Sequence, residues 1–89
     1  MLSMLIRSQD KQVLVPLDVI KIQQYATALD ALSEYGEPDT GIRYIFVGNQ
    51  LMGKYNSEDR AVEVVDAICR KYCKQDIANA YCVMQMPEE

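Results

Sequence analysis

The first third of the chain alternates between polar and apolar stretches of strand length. Residues 4–7 are β-prone, residues 8–11 are polar, and residues 13–15 form an apolar run; this order predicts a β-hairpin with a polar connection. Pro16 cannot donate to a strand ladder and so indicates a strand end, an edge or a bulge. In residues 19–23 isoleucines alternate with polar side chains, which predicts a further strand.

The pattern then changes to helical spacing. Apolar side chains recur every three positions from residue 26 onward, and Gly36 lies where a C-terminal cap belongs, so residues 26–35 are compatible with a short helix. Residues 37–41 are strong turn formers. We interpret residues 24–41 as a segment that leaves the sheet between two strands.

The strand pattern returns as the clearest hairpin of the chain. Residues 42–47 are β-branched and aromatic, residues 48–50 provide a tight polar connection, and residues 51–55 return antiparallel to the first run. A last strand is predicted over residues 81–86.

Between these strands the sequence predicts one main helix over residues 58–74. Asn56 and Ser57 are both favourable N-caps, and acidic residues occupy the first turn. An apolar stripe along this helix must be buried against another surface; it consists of Ala61, Val64, Val65, Ile68, Cys69 and Tyr72.

These elements predict an α+β fold. We expect a small two-layer domain in which an antiparallel sheet of four or five strands packs against the main helix. The length of 89 residues supports one hydrophobic core, so residues 1–89 are expected to form a single domain.

Charge and cysteine content indicate the cellular compartment and the class of partner. Nine cationic and thirteen acidic residues give a net charge of -4, which opposes binding to phosphate backbones. The odd number of cysteines, Cys69, Cys73 and Cys82, does not resemble a secreted disulfide framework. The apolar start of the chain is too short for a signal peptide or a membrane span. We therefore expect a cytoplasmic protein without a membrane anchor, and nucleic acid is an unfavoured partner.

No catalytic or metal-binding motif is recognisable. Histidine, the commonest general base and metal ligand, does not occur in the sequence. Free cysteine usually behaves as a small hydrophobe, so Cys69, Cys73 and Cys82 are expected to be buried or partly buried. Gly48 and Gly53 flank a hairpin and lack phosphate-loop spacing. We expect no enzyme activity, no cofactor, no metal and no small-molecule substrate.

The interface-prone residues are more informative. Tyrosine, which occurs six times, combines an apolar ring with a polar tip and suits half-buried sites at sheet rims or protein interfaces. Any single tyrosine more often fills the boundary of a small core, so a binding surface requires several clustered outside it. Asp10 is expected to brace the first hairpin turn, and Arg7 to pair with an acid or cover an apolar face. The candidate interaction surface consists of Arg7, Asp10, Lys11, Tyr44 and Tyr55.

Three stretches of the chain resemble a group of short, uncharacterised proteins of Gram-positive bacteria and their prophages. These stretches are IRSQDK at residues 6–11, the GxYxS pattern at residues 53–57 before an Ala/Val/Ile helix, and the MP tail at residues 86–87. The resemblance covers most of the length and departs over residues 24–41. It implies a common fold and a cytosolic setting, and it implies no reaction.

Three functional hypotheses follow. The first is a non-enzymatic protein-protein interaction module that uses a strand edge or a tyrosine-bearing sheet face. Such a module could form a homodimer or act as a prophage-associated accessory protein. The second is binding of nucleic acid or nucleoprotein by cations gathered on one sheet face, namely Arg7, Lys11, Lys21, Arg43 and Lys54. The third is a small enzyme built around Cys69, Cys73 or Cys82.

Overall fold

The computed structural model describes residues 3–73 and 81–89. Six strands and two helices occur in this part of the chain. In chain order they are β1 (Ser3–Arg7), β2 (Leu14–Pro16), β3 (Ile20–Gln23), α1 (Ala28–Ser33), β4 (Arg43–Val47), β5 (Gln50–Tyr55), α2 (Glu58–Cys73) and β6 (Tyr81–Gln85). Every predicted element is present, and the short helix is confirmed. Lys74, predicted to end the main helix, lies outside the described residues.

The α+β class is confirmed, but the prediction of one antiparallel sheet is wrong in its detail. The strands form two three-stranded sheets, ordered β2-β1-β6 and β3-β4-β5. All neighbours are antiparallel except β1 and β6, which run parallel. The chain leaves the first sheet after Pro16 and enters the second at Ile20. Strand β1 instead takes β6 as its second neighbour, a long-range pairing that local patterning does not encode.

Pro16 marks the free edge of the first sheet, as its missing N–H requires. Ser8 N donates to Val13 O at 2.8 Å, and Leu17 N donates to Met4 O at 2.8 Å. Because hydrogen-bonded and non-bonded pairs alternate in an antiparallel ladder, Pro16 occupies a non-bonded position opposite Leu5. Its nitrogen therefore faces away from β1, where no donor is needed.

The β4–β5 hairpin has a tight turn and a bulge. Gly48 and Asn49 form the turn, and Gly48 has φ +61, which glycine adopts without steric cost. The bulge lies between the Ile45–Gly53 and Phe46–Leu51 pairs and leaves Met52 as the extra residue. Both Met52 and Gly53 are buried as a result.

One hydrophobic core joins both sheets and the main helix. Its members come from β1, β4, β5, α2 and the segment after β6, and the largest are Tyr55, Ile6, Ile45, Met52, Ile68, Met86 and Val64. Helix α2 packs on the second sheet and is capped at its N-terminus by Ser57, whose Oγ accepts from Arg60 N at 3.1 Å. Neither described helix is long and apolar enough to cross a membrane.

The predicted stripe of α2 is buried only over its first three turns. Ala61, Val64 and Ile68 are at most 1% exposed, and Val65 is half-buried. Tyr72 is 46% exposed, so the end of the helix emerges from the core.

Candidate functional site

The five residues predicted to form an interaction surface occupy different environments. Arg7, Asp10 and Lys11 are exposed around the β1–β2 connection. Tyr44 is half-buried on the second sheet, opposite Lys54. Tyr55 is 1% exposed and belongs to the core, so it contributes nothing to the surface of this fold.

Ser8 organises the β1–β2 connection. Its backbone N–H donates to Val13 O, its carbonyl accepts from Lys11 N at 2.9 Å, and its Oγ accepts from Val13 N at 3.0 Å. The same hydroxyl donates to Asp10 Oδ1. Ser8 is buried, and these bonds satisfy its polar atoms.

Asp10 braces the turn as predicted. Besides the Ser8 hydroxyl, Oδ1 accepts from Gln12 N at 3.0 Å. These hydrogen bonds, with that from Ser8 the largest contribution, lower the pKa of the Asp10 carboxyl. Of the two roles predicted for Arg7, pairing with an acid is not observed: within the described residues its Nε donates to Lys11 O at 3.3 Å, and it forms no ion pair. The other role, covering an apolar face, stays a prediction.

Gln9 attaches this connection to the edge of β5. Its backbone N–H donates to Met52 O at 2.8 Å. Its side-chain amide donates from Nε2 to Lys54 O and accepts from Lys54 N at Oε1, both at 2.9 Å. Gln9 thus occupies the place of a neighbouring strand and covers backbone groups that an edge strand leaves unpaired.

The segment after β6 is fixed to the same place. Gln9 Nε2 also donates to Glu88 O at 2.6 Å, and Lys11 Nζ lies 3.7 Å from Glu88 Oε1. Tyr55 donates its hydroxyl to Pro87 O at 2.7 Å. We call this assembly of residues 7–11, 54–55 and 85–89 the tail junction. It brings together parts of three stretches that the sequence analysis singled out, residues 6–11, 53–57 and 86–87.

Burial defines the electrostatics of the tyrosine in the junction. Desolvation raises the pKa of Tyr55 to about 12, so its hydroxyl stays protonated and remains a donor at neutral pH.

An open groove of about 300 Å³ lies between the β1–β2 connection and β5, lined by residues that include Ser8, Asp10 and Lys54. Ser8 and Asp10 already hydrogen-bond to each other and to the backbone. We therefore interpret the tail junction as a structural feature that stabilises the fold.

The cysteines differ from their predicted placement. Cys69 and Cys73 are exposed on α2 and form no disulfide, so the expectation of buried or partly buried thiols is wrong for both. The side chain of Cys82 lies outside the described residues. Within residues 3–73 and 81–89, no group of three potential metal ligands comes together.

The cations predicted to gather on one sheet face are dispersed. Lys21 and Lys54 lie opposite Phe46 and Tyr44 and share one face of the second sheet. Arg43 is opposite Tyr55, on the other face, and is engaged by Asp39. The structural premise of the nucleic-acid hypothesis is therefore not met by the set as a whole.

The most exposed apolar surface of the described chain lies elsewhere, in residues 24–42, which we call the arm. The arm connects β3 to β4, two strands that pair directly, with Gln23 opposite Tyr44. Hairpin connections usually contain about two to five residues, and much longer ones are commonly functional. The arm is thus an addition that the sheet itself does not need.

Local hydrogen bonds order the arm. Thr27 caps α1 by accepting from Asp30 N at 3.0 Å, and Gly36 follows the helix with φ +87. Near the return to β4, Arg43 pairs with Asp39 through two bonds of 3.0 and 2.8 Å. This pairing lowers the pKa of Asp39 to about 2.

The leucines of α1 face solvent. Leu29 is 74% exposed and Leu32 is 76% exposed, while Tyr35, just beyond the helix, is 88% exposed. None of the six residues of α1 is buried, and only Ala31 is half-buried. An apolar helix face normally packs on the core; here it points away from the body of the protein.

The arm also carries the net charge of the chain. It contains Asp30, Glu34, Glu37 and Asp39 and no Lys or Arg. The other nine acids of the sequence are matched by nine cations. An open depression of about 420 Å³ at the base of the arm is lined by Tyr25, Glu34 and Glu37 together with Gln24, Pro38 and Thr40.

Sequence reasoning located the arm and its helix but did not identify it as a site. The available signals were the three-residue spacing of Leu29, Leu32 and Tyr35 and the run of acids without a cation. Their exposure depends on tertiary structure. Comparison of the chain with family models, curated proteins and solved structures finds no match.

Proposed function

We propose that this protein is a non-enzymatic protein-protein interaction module and that the arm is its binding element. The exposure of Leu29, Leu32 and Tyr35 carries the proposal. Leu29 and Leu32 are one helical turn apart on α1, and neighbouring exposed apolar side chains are typical of interaction sites. A short amphipathic helix that inserts its apolar face into a groove is a recurring mode of recognition.

The order of the arm supports this role. The Thr27 cap and the Asp39–Arg43 pair hold α1 in place before any partner arrives. A preorganised element loses less conformational entropy on binding than a disordered one. Burial of one leucine contributes about 1.5–3 kcal/mol, so two leucines and a tyrosine suffice as anchors.

The partner is a different protein rather than a second copy bound arm to arm. Each arm carries four acids and no cation, and two such arms in contact would repel each other. For the setting we propose the cytosol and a prophage-associated accessory role, supported by the free thiols of Cys69 and Cys73 and by the resemblance of the IRSQDK, GxYxS and MP stretches.

The test is capture of partners from the native cytosol by three purified forms of the chain: wild type, the double variant Leu29→Ser with Leu32→Ser, and the control Val19→Ser. Val19 is 62% exposed and lies outside the arm. We expect a protein retained by wild type and control to be lost from the double variant. Loss of two anchors should weaken affinity at least about thirtyfold, equivalent to about 2 kcal/mol.

The double variant should fold normally, because neither leucine is packed in the core. Its Tm should fall by no more than about 4–8 °C, since Leu to Ser in a helix costs only about 0.5 kcal/mol per position, about 1 kcal/mol for both. The proposal is wrong if every protein retained by wild type is retained equally by the folded double variant.

A further inference from the structure

We infer that Cys69 and Cys73 form a dithiolate site for one soft, monovalent metal ion of the Cu(I) class. Both thiols lie on α2, outside the arm, so the inference is independent of the proposed function. Three properties of the pair carry it: both thiols are exposed, they are one helical turn apart, and they lie away from the core side of the helix.

Packing does not explain this pair. Free cysteine is among the most buried residue types in proteins, and the core side of α2 is formed by Ala61, Val64 and Ile68. At 3.6 residues per turn, Cys69 and Cys73 lie about 110° and about 150° around the helix from the centre of that side. Both are exposed and have free thiols. Two exposed thiols on one helix face therefore have a role other than filling the core.

The spacing suits a metal bridge better than a disulfide. Residues four apart on a helix have Cβ atoms about 5–6 Å apart. A disulfide needs about 3.5–4.5 Å between its Cβ atoms, so oxidation of Cys69 to Cys73 would distort the last turn of α2. A metal ion between two sulfurs widens the bridge: with a metal–sulfur distance of about 2.3 Å, the sulfurs lie up to about 4.6 Å apart.

The number of ligands selects the ion. Thiolates bind soft ions such as Cu(I), and they also bind zinc. Zinc in structural sites takes four protein ligands, whereas residues 3–73 and 81–89 bring no group of three potential ligands together. Cu(I) is stable with two sulfur ligands in a linear arrangement. Two thiolates of a single chain therefore match Cu(I) better than zinc.

The surroundings match the charge of such a complex. Each thiol releases its proton on binding the metal, so Cu(I) with two thiolates carries one net negative charge. Negative charge is unfavourable at the C-terminal end of a helix. Arg70 and Lys71 lie in the same last turn of α2 and supply the compensating positive charge.

Anaerobic titration of the full chain with Cu(I) in the presence of bicinchoninate, a coloured Cu(I) chelator, tests the inference. The chelator removes loosely held metal, and its colour measures the copper that the protein does not bind. We expect one Cu(I) per chain. Cys69→Ser and Cys73→Ser should each weaken binding at least about a hundredfold, because loss of even an outer-shell partner costs about 10–100-fold. Both variants should fold, since both side chains are exposed.

Two controls separate geometry from thiol content. Cys82→Ala removes the thiol of β6, which belongs to the first sheet, and should keep wild-type affinity. The variant Cys73→Ser with Lys71→Cys keeps three thiols but places two of them two residues apart, where they do not face each other; it should bind as weakly as Cys73→Ser.

Four results would overturn the inference. Wild type does not compete with the chelator for Cu(I), one ion is shared by two chains, folded Cys82→Ala loses the metal, or the variant with the relocated thiol binds as tightly as wild type. Circular dichroism of each variant shows that it is folded before its affinity is compared.

Discussion

Gln9 provides the sharpest test of the tail junction. In the substitution Gln9→Glu an oxygen replaces Nε2, which donates to Lys54 O at 2.9 Å and to Glu88 O at 2.6 Å. The bond from Lys54 N to Oε1 is kept. Two donated hydrogen bonds are lost, each worth about 0.5–1.5 kcal/mol, and a carboxylate then faces two carbonyl oxygens.

Since the junction is open to solvent, we expect each of the two bonds to contribute in the lower half of that range. The free energy of unfolding should then fall by about 1–2 kcal/mol at neutral pH. For a domain of this size the Tm should fall by about 5–15 °C. Only a protonated carboxyl can donate to the carbonyls, so the folded state should raise the pKa of Glu at position 9. The variant should therefore approach wild-type stability below the unfolded pKa of about 4.3 and lose stability as the pH rises through the folded value.

Thermal unfolding followed by circular dichroism at pH about 4 and about 7 measures this effect against Gln12→Glu. Gln12 lies on the same connection, is exposed, and makes no side-chain hydrogen bond within the described residues. The reasoning is refuted if the two variants have the same Tm at neutral pH, or if the deficit of the Gln9 variant does not shrink on acidification.

Three further predictions concern buried and paired groups. Tyr55→Phe removes the hydroxyl bond to Pro87 O and should cost about 1 kcal/mol in denaturant unfolding; an unchanged midpoint would contradict that bond. Gly53→Ala places a Cβ 2.9 Å from the Tyr55 ring and should cost about 1–3 kcal/mol by the same assay, and full stability would show that the ring moves freely. Because the folded pKa of Asp39 is depressed to about 2 from 3.8, its pairing with Arg43 stabilises the fold above the unfolded pKa and is lost as the pH falls through the folded pKa. Asp39→Asn should flatten the acid limb of the Tm-against-pH curve, and a curve parallel to wild type would reject the pairing.

Local patterns predicted the elements of this fold well. The alternation of Ile20 and Ile22 with polar residues, the turn at Gly48 and the Ser57 cap each depend on neighbours in sequence, and all three are present. Sheet partnership depends on residues far apart. Nothing near Met4 or Ile6 specifies a parallel neighbour at residues 81–85, and so one sheet was predicted where two occur.

The candidate sites show the same difference between features set by neighbours in sequence and features set by residues far apart. The role of Asp10 in its turn followed from side-chain chemistry over two residues. The sequence predicts Tyr55 at an interaction surface because tyrosine suits interfaces; in the structure a bulge and the carbonyl of Pro87 provide a buried place for its ring and hydroxyl. The exposure of Leu29 and Leu32 is the converse case, since their spacing is typical of a helix that packs on its own core.

The parallel pairing of β1 with β6 has a consequence for synthesis on the ribosome. Ser3 lies opposite Tyr81, so β1 cannot pair with its parallel neighbour until β6, the last of the described strands, has been made. The β4–β5 hairpin and α2 are contiguous in sequence and can associate while the later residues are still being translated. During that interval Met4 and Ile6, destined for the core, have only the short β2 as a sheet neighbour. These apolar side chains therefore stay available for aggregation until residues 81–85 emerge from the exit tunnel.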